Sequence, residues 1–77
     1  MKQITIYSKE NCMYCNQAKM YMKARNIDYI EKRVDLDKVA LQEMLATGYT
    51  GLPVLVSEGH EPVMGFNPNA INELAEI

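Results

Sequence analysis

The sequence has few of the residues that build zinc sites or nucleic-acid surfaces. Among its 77 residues are two cysteines, one histidine and no tryptophan, and eight Lys and Arg are outnumbered by ten Asp and Glu. A tetrahedral zinc site needs four ligands, and a protein that neutralises phosphates needs a basic stripe. The composition therefore argues against a zinc domain and against a nucleic-acid partner.

The chain also lacks a long apolar run. The longest, residues 52–56, is far shorter than the about 20 residues that span a membrane. The first seven residues alternate polar and apolar side chains instead of forming the apolar block of a signal peptide. We therefore expect a cytoplasmic protein with no membrane partner, and a chain of 77 residues predicts a single domain, residues 1–77, with one small core.

Four short apolar segments predict strands. The first is expected to end near Tyr7, the second to cover residues 27–34, and the third to cover residues 52–56. A turn follows, and residues 62–64 are expected to form a hairpin with the third strand.

Three segments with helical spacing of apolar residues complete the order β-α-β-α-β-β-α. The first helix is expected over residues 12–25, with Asn11 as its N-cap. Asp37 and Asn67 are the predicted N-caps of the second and third helices. Gly48 is placed to end the second helix in the left-handed conformation.

The two cysteines stand three apart, as Cys12 and Cys15, at the predicted start of the first helix. Two intervening residues on a helical turn hold both sulfurs within disulfide reach. Unpaired N–H groups and the positive end of the helix dipole favour a thiolate at Cys12, and Lys9 adds a positive charge nearby. Cys15 lies one turn further in and should be less exposed. The pattern predicts dithiol–disulfide exchange with Cys12 as nucleophile and Cys15 as resolving thiol, without a bound cofactor or metal.

Other interpretations of the cysteine pair stay open at this point. The pair is also compatible with half of a zinc site, with two passive buried thiols, or with a docking module in which the cysteines have no role. Two copies of the chain would supply four thiolates to an iron–sulfur cluster. His60 lies in a Gly-containing turn and is interpreted as a solvated loop residue. Met13, between the cysteines, is placed to line a docking surface.

Several blocks of the sequence resemble the glutaredoxin branch of the thioredoxin fold, and within it the NrdH-type redoxins that deliver electrons to ribonucleotide reductase. The blocks are residues 7–9, 12–15, 18–19, 48–54 and 65–71. The resemblance extends almost from end to end. It implies a three-layer α/β/α fold around a four-stranded mixed sheet, with the first and last helices on one face and the middle helix on the other.

The resemblance also implies a substrate groove beside the cysteine pair. Pro53 would follow a cis peptide bond and lie against the pair, where the backbone of Leu52 binds an extended substrate chain. The resemblance implies that Lys9 and Tyr14 flank the groove and that Gly65 and Phe66 form its opposite wall, beside the docking surface assigned to Met13.

At three places the sequence departs from the usual glutaredoxin pattern. Met13 replaces a proline, residues 51–53 replace Thr-Val-Pro, and Asn69 lies where an aspartate holds glutathione. The replacements resemble the pattern of NrdH-type redoxins, which are recycled by thioredoxin reductase. Tyr14, in contrast, is the residue typical of glutaredoxins at its position.

The expected function is therefore electron donation, as a monomer, to protein disulfides, above all those of ribonucleotide reductase. The electrons would come from NADPH through thioredoxin reductase or glutathione. The alternatives are a glutathione-dependent glutaredoxin with broader substrates and an iron–sulfur cluster carrier.

Overall fold

In the part of the chain that the structure describes, three helices and four strands follow one another in the predicted order. The computed structural model describes residues 2–77. Their bounds are β1 Ile4–Ser8, α1 Met13–Ala24, β2 Tyr29–Arg33, α2 Lys38–Ala46, β3 Val54–Val56, β4 Val63–Met64 and α3 Pro68–Ala75. None of the helices in this range is both long enough and apolar enough to cross a membrane.

The strands form one mixed sheet in the order β2-β1-β3-β4. β1 and β2 are parallel, whereas β1 and β3, and β3 and β4, are antiparallel. Because β3 runs against β1 and β4 against β3, the end of β1, the start of β3 and the end of β4 lie at the same end of the sheet. Residues that follow β1 and β4 or precede β3 are therefore brought to one place.

Each face of the sheet is covered by its own apolar cluster, because successive side chains of a strand point to opposite faces. On the first face, α1 and α3 pack against the sheet, and the buried cluster there consists of Ile4, Ile6, Ala18, Met22, Ile27, Leu55, Ile71, Leu74 and Ala75. On the second face lies α2, and the cluster consists of Tyr7, Ala40, Met44 and Val54. The predicted three-layer α/β/α fold, including the side of each helix, is confirmed.

Two of the three predicted N-caps are confirmed. The Asp37 side chain accepts hydrogen bonds from the N–H groups of Val39 and Ala40, at 2.9 and 3.4 Å. Asn67 caps α3 in the same way, accepting from the N–H groups of Asn69 and Ala70 at 3.0 and 3.3 Å. Each cap satisfies two N–H groups that have no partner within the helix.

Some predicted boundaries differ from the structure. β1 continues through Ser8, whose carbonyl accepts a hydrogen bond from Val34 N at 2.9 Å, so Ser8 is not a loop residue. β3 begins at Val54 rather than at residue 52, because Pro53 has no N–H to donate to the sheet. The hairpin partner β4 has two residues only. Gly48 follows α2 with a φ of +91°, as predicted.

Candidate active site at the start of the first helix

The first helix begins at the first cysteine. Cys12 is the N-cap, with φ −101° and ψ 104°, and its Sγ accepts a hydrogen bond from the N–H of Cys15 at 3.2 Å. Its carbonyl accepts the first helical hydrogen bond, from Asn16 N at 3.0 Å. The sequence-based choice of Asn11 as N-cap, with Cys12 in the first turn, is wrong. Asn11 instead has a φ of +59°, a left-handed conformation that asparagine tolerates better than most residues, and the cysteine sulfur takes the capping role.

The two sulfurs differ in exposure in the order that the sequence predicts. Cys12 and Cys15 are joined by a disulfide, with their Cα atoms 5.2 Å apart. Cys12 is 8% exposed and Cys15 is fully buried. Between them, Met13 and Tyr14 are 62% and 55% exposed. A partner molecule that approaches this end of the sheet therefore reaches Cys12 before Cys15, and it meets two apolar side chains beside it.

The segment before β3 adjoins the segment after β4. The Leu52–Pro53 peptide bond is cis, as the resemblance implies, and Pro53 is buried. The carbonyl of Pro53 accepts a hydrogen bond from Gly65 N at 2.8 Å. Leu52 packs its side chain against the α2 cluster, and its backbone forms no hydrogen bond with any of residues 2–77. These contacts bring Leu52, Pro53 and Gly65 together at the end of the sheet that carries the cysteines.

The remaining groove candidates lie at the same end of the sheet but have different surroundings. Phe66 is half-buried against the α1 and α3 cluster, and its ring meets Tyr21 edge-on, with the centroids 6.1 Å apart. Phe66 therefore also holds the segment after β4 against α1. Lys9 is exposed in the loop between β1 and α1, and no hydrogen bond or ion pair in the described part of the chain joins it to another groove residue.

A polar cluster of Ser8, Lys19 and Glu31, here called the Ser8 cluster, lies between β1, β2 and α1. Ser8 is fully buried, and its Oγ donates a hydrogen bond to Glu31 Oε2 at 2.5 Å. Lys19 Nζ is 2.8 Å from the same oxygen. Burial raises the pKa of Glu31, but the hydrogen bonds from Lys19 and Ser8 outweigh burial, and the pKa is lower than the usual value. The carboxylate is therefore charged at neutral pH.

Sequence reasoning missed the Ser8 cluster. It ended the first strand near Tyr7 and assigned no role to any residue of the second strand. A signal was present, because Ser8 continues the inward alternation of Ile4 and Ile6, and Lys19 lies four residues after Cys15 on the same helix face. The sequence alone did not show that Glu31 pairs with Ile6 across the parallel strands.

No group of three or more His, Cys, Asp or Glu side chains that would hold a metal ion is found within residues 2–77. The chemistry that the site itself offers is that of the disulfide between Cys12 and Cys15.

The fold and the cysteine pair together define a thiol–disulfide oxidoreductase of the thioredoxin-like class. Among protein families of this class, the model of the glutaredoxin family matches residues 4–61. The chain belongs to the glutaredoxin family.

Similar proteins cover nearly the whole chain. The glutaredoxin-like protein NrdH of Salmonella typhimurium is 37% identical over 71 residues, which are 92% of this chain and 86% of the relative. An uncharacterised glutaredoxin-like 8.6 kDa protein from the rubredoxin operon of Clostridium pasteurianum is 35% identical over 95% of this chain and 97% of its own. Among solved structures, NrdH-redoxin from Escherichia coli superposes with a TM-score of 0.85 at 33% identity, covering 94% of this chain and 93% of that one. That protein is described as glutaredoxin-like with a thioredoxin-like activity profile.

Proposed function

We propose that this protein is a dithiol electron donor that reduces protein disulfides, with Cys12 as the attacking thiol and Cys15 as the resolving thiol. One observation carries the assignment of roles: the N–H of Cys15 donates to Cys12 Sγ, while the Cys15 side chain is fully buried. A hydrogen bond to the charged form of a group favours that form, and a helix N-terminus adds to the effect. Both favour a thiolate at the outer sulfur.

The reaction transfers two electrons in two exchange steps. The Cys12 thiolate attacks one sulfur of the substrate disulfide, and the other substrate sulfur leaves as a thiolate and takes up a proton. Cys15 then loses its proton and attacks Cys12 Sγ, which forms the Cys12–Cys15 disulfide and releases the second substrate thiol. Both exchanges conserve atoms, so they need no metal and no bound cofactor.

We propose that an extended segment of the substrate binds along Leu52. Its backbone groups have no partner among the described residues, and the adjacent Pro53 and Gly65 are held together by a hydrogen bond. Strand-like pairing with a free backbone segment is a common way to bind an extended chain. Lys9, Met13, Tyr14, Gly65 and Phe66 are the proposed side walls.

The proposed substrate is ribonucleotide reductase, and the proposed reductant is thioredoxin reductase supplied by NADPH. The resemblance to NrdH-type redoxins supports the substrate, and the thioredoxin-like activity profile ascribed to the similar E. coli protein supports the reductant. We propose a cytoplasmic location because both proposed partners act there. We further propose that the protein acts as a single-domain monomer.

A coupled assay tests the proposal. NADPH oxidation is followed in the presence of insulin, once with thioredoxin reductase and once with glutathione plus glutathione reductase. We expect rapid turnover with thioredoxin reductase and none with the Cys12→Ser, Cys15→Ser double variant. Preference for glutathione would reject recycling by thioredoxin reductase, and activity of the double variant would reject the dithiol mechanism. With purified ribonucleotide reductase, the reduced protein should support deoxyribonucleotide formation, and failure there would reject the proposed substrate.

A further inference from the structure

Met64 lies across the backbone of Gly51, next to the proposed substrate segment. We infer that Met64 determines substrate specificity, and that its thioether contacts an apolar side chain beside the substrate disulfide, an inference that rests on the proposed function. The observations that carry it are a close contact, a position in the fold and the exposure of the side chain.

Gly51 leaves the space that the Met64 side chain occupies. A Cβ added to Gly51 would lie 2.9 Å from Met64 Sδ, closer than real Cβ contacts allow, and 3.7 Å from its Cε. Gly51 does not have the positive φ of Gly48, Gly59 and Gly65, so its backbone conformation alone does not require glycine. A methyl group at Gly51 would therefore push the flexible end of the Met64 side chain aside, and this is the contact that an alanine at Gly51 would change.

The contact lies beside the reacting end of the sheet. Gly51 directly precedes Leu52, whose backbone is the proposed partner of the substrate chain. Met64 is the last residue of β4, pairs with Val54 and precedes Gly65, which is hydrogen-bonded to Pro53. Because Met64 covers the residue that precedes Leu52, we expect a chain that pairs with Leu52 to pass beside the Met64 side chain.

Met64 retains an accessible apolar surface in this position. It is 48% exposed although its sulfur is packed over Gly51. Methionine has three flexible side-chain bonds and a polarisable sulfur, so it adapts to different apolar partners. We therefore expect Met64 to favour apolar over polar neighbours of the substrate cysteine without selecting one shape.

A pair of matched peptides measures this preference. Each peptide is a symmetric disulfide-linked dimer, and the two differ only in whether Leu or Asn flanks the cysteine on both sides. Rate constants for reduction by the pre-reduced protein are determined by acid quench and chromatography. The rate constant for 2-hydroxyethyl disulfide, which has no peptide chain, is determined alongside to report the reactivity of the cysteine pair itself. The measured quantity is the Leu-to-Asn ratio.

We expect the ratio to fall about five-fold in Met64→Ala, since losing contact with about one methylene-sized group changes affinity by roughly this factor. Met64→Leu should keep most of the ratio. Gly51→Ala should lower it too, because the new methyl group displaces the thioether. The double variant Gly51→Ala, Met64→Ala should lose no more than Met64→Ala alone, since both changes remove the same contact.

Met20→Ala is the matched control, because Met20 is 69% exposed on α1 and does not touch Gly51. An unchanged ratio in Met64→Ala, or an equal fall in Met20→Ala, would overturn the inference and leave the proposed function standing. If the unaltered protein reduced 2-hydroxyethyl disulfide but neither peptide, the proposed function would fall, and the role of Met64 with it.

Discussion

The two cysteine side chains have the same chemistry but different surroundings. Cys12 keeps a small exposed fraction, 8%, and accepts a hydrogen bond from the N–H of Cys15, whereas Cys15 is fully buried in the first turn of α1. A thiol that attacks must be accessible, and one that resolves needs only to reach its neighbour. The proposed order of attack follows from this difference.

Replacing one cysteine at a time should separate the two roles. Cys15→Ser should accumulate a covalent adduct with a protein disulfide substrate such as insulin, because Cys12 still attacks and nothing resolves the mixed disulfide. Cys12→Ser should form no such adduct. Intact-mass spectrometry after acid quench reads out both variants, and an adduct on Cys12→Ser in place of Cys15→Ser would reverse the assignment.

The identity of the residues was enough to predict the chemistry of the site, but it was not enough to predict the local geometry. The spacing of Cys12 and Cys15 is a local property, and it was sufficient to predict the disulfide and the start of a helix. The capping role of the sulfur was not predictable, because oxygen-bearing side chains are the usual caps and Asn11 was adjacent. The contact between Gly51 and Met64 joins residues 13 apart, and only the β3–β4 pairing brings them together.

The helices α1 and α3 share one face of the sheet and are tied to each other by polar and aromatic contacts. Tyr21 Oη donates a hydrogen bond to Asn72 Oδ1 at 2.8 Å, and the Tyr21 ring meets Phe66 edge-on. Arg25 lies over the same ring, with its guanidinium carbon 4.7 Å from the centroid. The helix that carries the cysteines is thus fixed to the last helix and to the segment after β4.

The variant Tyr21→Phe removes the hydroxyl and keeps the ring. We expect it to lower the free energy of unfolding by about 1 kcal/mol, the usual net contribution of such a hydrogen bond. Chemical denaturation monitored by circular dichroism measures the change. Tyr29→Phe is the matched control, since the structure shows no hydrogen bond of the Tyr29 hydroxyl within residues 2–77. An equal loss in both variants would contradict a specific tie between the helices.

The N-cap of α3 allows a second test of how a local contact contributes to stability. Asn67→Ala should destabilise the protein by about 1 kcal/mol, because two N–H groups lose their acceptor. Asn69→Ala, two residues further along the same exposed turn, should change stability by less than about 0.5 kcal/mol. Thermal unfolding measures the stability of both variants. An Asn67→Ala variant as stable as the unaltered protein would show that the cap contributes nothing.

The elements themselves were predictable because their signals are local. Periodicity and the caps Asp37 and Asn67 gave the order of helices and strands. The strand ends were less accurate, since pairing across the sheet decides them: Ser8 extends β1 because Val34 binds its carbonyl. Which face each helix covers came from the family resemblance, because periodicity does not specify it.

At the scale of the whole molecule, ion pairs and hydrogen bonds between polar side chains link elements that are distant in sequence. The hydrogen bond from Lys32 is the largest cause of the lowered pKa of Glu43, and the bond from His60 has the same effect on Glu76. The pKa of Glu31 is also lowered, as described above. These pairs connect β2 to α2, the β3–β4 turn to the end of α3, and β2 to α1.

Lowered carboxyl pKa values predict loss of stability in acid. A carboxyl whose folded pKa lies below its unfolded value of 4.5 stabilises the fold above that value, and the contribution is lost as pH falls through the folded pKa. The free energy of unfolding should therefore decrease below about pH 4.5. Glu31→Gln should lower stability at pH 7 by about 1 kcal/mol and flatten this decrease.

Urea unfolding from pH 7 to pH 2.5 measures both effects. Glu61→Gln serves as control, because Glu61 is exposed and forms no ion pair among the described residues. A pH dependence in Glu31→Gln as steep as in the unaltered protein would show that Glu31 does not contribute to it.

The two edge strands of the sheet are poorly suited to pair with a strand of a neighbouring molecule. β2 carries Glu31, Lys32 and Arg33 in succession, and β4 has two residues and follows Pro62. Charged side chains, short length and nearby proline are features that hinder edge-to-edge sheet growth. The fold can therefore leave the backbone of Leu52, the proposed substrate-binding segment, without a hydrogen-bond partner while its edge strands resist pairing with other chains.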